Sequence, residues 1–162
     1  MDERLEARVG AALLARGWTV CAAESCTGGL VMHRLTNIAG SSAYVLGGVV
    51  SYSNEAKQSI LGVREETLIA HGAVSEETAA EMVRGALRLF GAIVGVSITG
   101  IAGPGGGTPH KPVGLTYIGL GVRAGDEVSV TVQRHVWSGD RETIKAASAD
   151  AALRLILEAA GG

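Results

Sequence analysis

An unbroken, largely apolar run over residues 92–99 empties into Gly100-Ile-Ala-Gly-Pro-Gly-Gly-Gly107, and this junction constrains the fold more than any other feature of the chain. A run of that length without polar alternation reads as a strand buried on both faces. The segment after it cannot hold regular structure, because proline and clustered glycine break helix and strand alike. A doubly buried strand needs cover on each side, so a layered α/β domain is expected. The same loop accounts for part of an unusual glycine content, 24 of 162 residues against the usual ~7%.

The remaining elements are placed by periodicity and punctuation. Leu5, Val9, Ala12 and Leu13 recur at helical spacing and Gly17 stands where a left-handed cap is wanted, which predicts a helix over 3–16. A short strand is expected over 18–23. Glu24-Ser-Cys-Thr-Gly-Gly29 then opens a second helix through Leu30, Val31, Leu35 and Ile38. Residues 44–52 read as a strand, with Asn54 capping a short helix that contains Glu55, Lys57 and Leu61. Ser75, backed by Glu76 and Glu77, begins a helix reaching Phe90. Two β-like runs over 113–122 and 128–137 are joined by turn residues 123–127, which predicts a hairpin, and a last helix capped by Ser138 or Asp140 runs toward Ala159. The order α-β-α-β-α-α-β-β-β-α predicts a mixed sheet with helices on both faces.

Composition narrows the function. A net charge of −2, with both signs interspersed, gives no basic stripe for a nucleic-acid backbone. No stretch of 18 apolar residues occurs, and the start Met1-Asp-Glu-Arg is charged where a secretory signal needs an apolar core, so neither a membrane span nor export is expected. Cys21 and Cys26 fit neither the C-x-x-C pattern nor a zinc hook, and a reducing cytoplasm is the expected location. The glycine loop lacks a following Gly-Lys-Ser/Thr and has no G-x-G-x-x-G register, which argues against a nucleotide kinase or a dinucleotide fold.

Ligands of open α/β sheets collect beyond the carboxyl ends of strands. Three segments lie there: residues 24–29, 51–57 and 99–111. The first offers Ser25, Cys26, Thr27 and the bare amides of Gly28 and Gly29, which suits a phosphate cradle or a nucleophile beside an oxyanion hole. Ser25 or Thr27 could equally be no more than a helix cap. Cys26 reads as a buried, inert thiol. A serine nucleophile needs a base, and His33, His71, His110 and His135 show no diagnostic spacing for that or for a metal. Lys57 is the alternative base, provided burial makes it neutral; it could also be an ordinary solvated lysine. Tyr52, at the same junction, could orient a proton. The glycine loop could bring the amides around Gly100, Gly103, Gly105 and Gly106 to an anion, with Thr108 and Lys111 assisting, or could be a plain mobile turn.

Six segments in order, Ala23-Glu-Ser-Cys-Thr-Gly-Gly29, Gly48-Val-Val-Ser-Tyr-Ser-Asn-Glu-Ala-Lys57, Gly72-Ala-Val-Ser75, Thr99-Gly-Ile-Ala-Gly-Pro-Gly-Gly-Gly107, Lys111-Pro-Val-Gly114 and Ser138-Gly-Asp-Arg141, resemble the CinA C-terminal domain family over nearly the whole chain. The resemblance implies one domain over 1–162 with a three-layer α/β/α fold and a mixed, mostly parallel sheet. It implies hydrolysis of the carboxamide of nicotinamide mononucleotide to nicotinate mononucleotide and ammonia, without cofactor or metal. Carried onto matching positions, Ser25 is the nucleophile, Lys57 its base, and Tyr52 and Thr99 polar supports. On that mechanism the amides near Cys26, Thr27 and Gly28 receive the oxyanion, and the glycine loop with Arg141 holds the substrate phosphate. A homodimer or higher homo-oligomer is also implied. The rival expectation is a non-catalytic module that binds a nucleotide or phosphate through the same loops.

Overall fold

The computed structural model describes residues 3–161. In chain order the elements are α1 (Leu5–Arg16), β1 (Val20–Glu24), α2 (Leu30–Thr36), a 3₁₀ turn (Ser41–Ala43), β2 (Val45–Val50), α3 (Asn54–Leu61), α4 (Glu65–His71), α5 (Glu76–Phe90), β3 (Val94–Gly100), β4 (Leu115–Ala124), β5 (Glu127–Val136) and α6 (Arg141–Ala159). The five strands form one sheet in the order β2-β1-β3-β4-β5. β1 pairs in parallel with β2 and with β3, whereas β3–β4 and β4–β5 are antiparallel, so only β4 runs against the other four. The sheet is mixed and mostly parallel, as the resemblance implies.

β1 shows why the sheet needs two layers of cover. All five of its residues are buried, and with a side-chain period of two they feed opposite faces. Val20 and Ala22 join Val9 and Leu13 of α1, Val31 and Leu35 of α2, and Ile144, Leu153 and Ile156 of α6. Cys21 and Ala23 join Leu61 of α3 and Met82, Val83, Ala86 and Leu87 of α5. On α5 those four positions recur at i, i+1, i+4 and i+5, a stripe that faces the sheet. Ser75 caps α5 by accepting from the Thr78 amide, and Gly91 closes it at φ 67. Burying each of its larger apolar side chains is worth roughly 1.5–3 kcal/mol.

Several boundaries differ from the sequence reading. α3 is capped by Ser53, whose hydroxyl accepts from the Ala56 amide, and Asn54 is its first residue. α2 ends at Thr36, short of Ile38. The hairpin and the Asp140 cap of α6 are as expected, with Asp140 accepting from the Thr143 amide at 2.8 Å. α4 has no counterpart in the sequence reading, and His71 is its last residue. Seven residues are too few to hold a helix by propensity. Its hold is tertiary: Glu81 of α5 accepts from the Arg64 amide at 2.9 Å and from the Thr67 hydroxyl at 2.5 Å.

The strand order puts a reversal beside β1. The chain leaves β1 on one side to make β2 and returns on the other to make β3, so a crevice opens past the carboxyl ends of β1 and β3. Among the described residues no helix is long and apolar enough to cross a membrane.

Candidate active site

Ser25 comes directly after β1, and its amide donates to the carbonyl of Ile98 in β3 at 3.0 Å, which fixes the residue over the crevice. The chain then makes a tight turn through Gly28 (φ 64) and Gly29 (φ 104) before α2 begins. Both φ values lie in the left-handed region where a side chain is strained, so these glycines are what let the turn close. Neither Ser25 nor Thr27 caps α2, which has no side-chain cap at Gly29. That work falls to Glu24, which opens the 24–29 segment but has no role assigned to it from the sequence. Its Oε1 accepts from the Thr27 hydroxyl at 2.7 Å and the Val31 amide at 3.0 Å, and its Oε2 accepts from the Met32 amide at 3.1 Å. A buried carboxylate at the positive end of α2 thus ties both sides of the Ser25 turn together.

Lys57 reaches the same place from α3. Its side chain is 1% exposed, and Nζ lies 3.0 Å from Ser25 Oγ, 2.9 Å from the Ser51 carbonyl and 3.2 Å from the Tyr52 carbonyl. Burial holds its pKa below the ordinary lysine value, opposed by the nearby Cys26 thiol. Among the described residues no carboxylate pairs with it. A neutral amine keeps two N–H donors and one lone pair. In the protonated form Nζ donates to all three oxygens; in the neutral form the two carbonyls would take both donors and leave the lone pair for the Ser25 hydroxyl. Cys26 is also buried, and burial pushes its thiol up to about 11, so it stays protonated near neutrality.

These groups open on a cavity of about 230 Å³ whose wall includes Ser25, Cys26, Tyr52, Asn54, Lys57, Thr99, Gly100 and Arg141. Thr99 is buried, and its hydroxyl donates to the Ala73 carbonyl at 2.7 Å, so it braces the wall between β3 and the approach to α5. At Gly100 a Cβ would fall 2.8 Å from Thr116 Oγ1, 2.9 Å from the Leu115 carbonyl and 3.2 Å from Cys26 Sγ. Tyr52 is 63% exposed, and its phenol is turned away from Lys57 to accept from Arg141 at 3.2 Å. Arg141 also donates to the Gly103 carbonyl at 2.7 Å, so one guanidinium joins the end of β2, the glycine loop and the start of α6.

Other residues singled out in the sequence stand farther from the pair. Thr27, Gly28, Gly29, Gly103, Gly105 and Gly106 are not part of the cavity wall, and Gly105 meets open space. Lys111 is spent on the His71 carbonyl at 2.5 Å, and Thr108 accepts from the Lys111 amide. The Gly28 amide donates to the Ser25 carbonyl at 3.1 Å. Among the described residues, the amides of Cys26, Thr27 and Gly29 donate to no main-chain carbonyl. Asn54, Ala73, Val74 and Ala102 complete the wall; all four lie in segments that the sequence marks, but none is singled out there as a site residue. Among the described residues no group of three or more His, Cys, Asp or Glu could hold a metal. A groove of about 310 Å³ between β5 and α6 is roomier, but it contains no nucleophile paired with a base.

A family model described as the CinA C-terminal domain matches residues 2–160, and the chain belongs to that family. It is 52% identical over 157 residues to a CinA-like protein of Chloroherpeton thalassium, covering 97% of this chain and 37% of that one. It is 48% identical over 153 residues to the nicotinamide-nucleotide amidohydrolase PncC of Enterobacter agglomerans, covering 94% of this chain and 92% of that one. The chain thus spans about a third of the length of the first curated relatives it matches and nearly all of PncC. The crystal structure of the competence/damage inducible protein CihA from Agrobacterium tumefaciens superposes with a TM-score of 0.92 at 43% identity, covering 99% of this chain and 95% of that one.

Proposed function

We propose that this chain hydrolyses the carboxamide of nicotinamide mononucleotide, giving nicotinate mononucleotide and ammonia through a serine–lysine mechanism. The observation that carries the reading is the 3.0 Å contact between a buried lysine without a carboxylate partner and Ser25 at the mouth of a cavity. The relative named nicotinamide-nucleotide amidohydrolase, matched over nearly its whole length, supplies the substrate class.

In the first half-reaction neutral Lys57 takes the Ser25 proton as Oγ bonds to the carboxamide carbon. The oxyanion is received by the amides of Cys26 and Thr27, which no main-chain carbonyl takes, the Gly28 amide being engaged with Ser25. Lysine then returns that proton to the amide nitrogen, the C–N bond breaks, and ammonia leaves an ester on Ser25. In the second half water loses a proton to Lys57 and attacks the ester carbon, that proton goes to Ser25 Oγ as the C–O bond breaks, and the released acid gives water's second proton to the solvent or to ammonia, leaving the carboxylate. Tyr52 and Thr99 act through the wall, Thr99 by bracing Ala73 and Tyr52 by seating Arg141, which orients the nucleotide with Gly103 of the loop.

The test is ammonia release from nicotinamide mononucleotide, with a chelator present, by the intact protein and by its Ser25→Ala and Lys57→Ala variants. Release by the intact protein alone supports the reading. Binding without release would make the chain a nucleotide-binding module and end the amidase proposal.

A further inference from the structure

Among the described residues, one cation beside the site has no hydrogen-bond or ion-pair partner. Lys145 lies one helical turn beyond Arg141 on α6, and four residues along a helix carry it about 6 Å farther from the helix start on the same face. Its Nζ stands 3.9 Å from the position a Cβ would take on Gly28, so the ammonium hangs over the turn after Ser25. It is half-buried there and close enough to Cys26 to act on its thiol. Among the described residues it makes no hydrogen bond or ion pair, and the neighbouring carboxylate of Glu24 is committed to Thr27, Val31 and Met32. Arg141, by contrast, already spends donors on Gly103 and Tyr52.

A half-buried ammonium facing bare glycine backbone is an uncompensated charge with room in front of it. The lack of a Cβ at Gly28 is what leaves that room, and Gly29 beside it adds an amide that no main-chain carbonyl takes. A compact, flexible point charge of this kind suits a phosphate dianion, whereas the planar guanidinium of Arg141 is held in a fixed fork by its two protein acceptors. We infer that Lys145 is a substrate-positioning residue which takes the phosphate of the mononucleotide over Gly28, and so sets the preference for phosphorylated substrate over the free nucleoside. The inference rests on the proposed amidase reading for its substrate, but binding can be measured without turnover.

The experiment uses the full chain carrying Ser25→Ala, so that nothing is hydrolysed, and measures binding of nicotinamide mononucleotide and of nicotinamide riboside by calorimetry. Adding Lys145→Ala is expected to weaken the mononucleotide by about 10- to 100-fold, the range for a lost hydrogen bond to a charged group, and to leave the riboside unchanged. Lys145→Arg should restore part of the loss. In the Ser25-intact protein the same change should raise KM and leave kcat within about twofold, because the phosphate is held alike in ground and transition states. Equal weakening of both ligands, or of neither, overturns the inference. Riboside and mononucleotide binding equally well to the Lys145-intact protein overturns it too. If ammonia release fails while the phosphate preference and its loss in Lys145→Ala are seen, the amidase reading falls and the phosphate site stands.

Discussion

The Nζ of Lys57 lies 2.9 Å from the carbonyl oxygen of Ser51, six residues earlier in the chain and just past the end of β2. With the Tyr52 carbonyl at 3.2 Å, that contact decides which way a neutral amine faces, and the direction left over is toward Ser25. An amine oriented by two main-chain carbonyls depends on no other side chain to point its lone pair, unlike a histidine, whose tautomer and ring orientation are set by a carboxylate.

The protonated form of Lys57 cannot accept the Ser25 proton, so kcat/KM should rise with pH and level off above the lysine's pKa in the free protein. Burial places that midpoint below the ordinary ~10.4 of lysine. A pH–rate series on nicotinamide mononucleotide checks it, and a profile falling with pH over that range contradicts the assignment. Lys57→Arg should be inactive at every pH, since a guanidinium stays charged.

The same shift appears in stability. Between the lowered folded value and ~10.4 the unfolded chain binds more protons at this residue, so wild-type stability should rise with pH across that window. A Lys57→Met protein lacks this contribution. Denaturant midpoints of both proteins, taken through the window, should show the difference moving in favour of the wild type as pH increases.

Glu24→Gln keeps the shape of the side chain but replaces one of two acceptor oxygens with a donor, leaving an amide of α2 or the Thr27 hydroxyl without its partner. Stability should drop by about 1–3 kcal/mol. Turnover should fall more than the mononucleotide's affinity, because the Ser25 turn loosens while Arg141 is untouched.

Gly100→Ala puts a methyl 2.9 Å from the Leu115 carbonyl and 3.2 Å from Cys26 Sγ. The methyl also falls 2.8 Å from Thr116 Oγ1, so the start of β4 and the Cys26 thiol must both give, and Ser25 shifts with its neighbour Cys26. A displacement of that kind should reduce kcat on the order of 100-fold with the fold retained, measurable as activity lost while the circular dichroism melt stays cooperative.

Arg141→Gln removes two contacts across the rim, to Gly103 and to Tyr52. KM for the mononucleotide should increase by roughly tenfold or more, and Tyr52→Phe should reproduce a smaller part of the effect. An unchanged KM in both would remove Arg141 from substrate binding.

Much of this is legible in the residues because the features that place the site are local. The buried run over 92–99, the glycine turn after Glu24 and the Ser75 cap each carry their signal within a few positions, and together they put three loops at one end of a sheet. The features that pattern reading misses depend on partners distant in sequence. α4 is held by Glu81 from α5, and no periodicity in seven residues announces that. Glu24 reads as an ordinary acid at a strand end until Val31 and Met32 fold over it. Sequence position suggests that Tyr52 steers a proton, but Lys57 takes its carbonyl, while its phenol finds Arg141, 89 residues away. Lys145 gives no sign of its surroundings in sequence, because a glycine's missing side chain is what exposes it.

The rim contact between Tyr52 and Arg141 also dictates an order of events during synthesis. Ser25 and Lys57 precede the guanidinium that bridges the rim, which emerges 84 residues after Lys57. At a ribosomal pace of 5–20 residues per second that is a delay of roughly 4–17 s. β1 must also wait for β3 before Ser25 is anchored to Ile98. The pair of Ser25 and Lys57 is therefore translated well before the strand that anchors it and the guanidinium that closes its rim, and the cavity is complete only once β3 and α6 have joined the sheet.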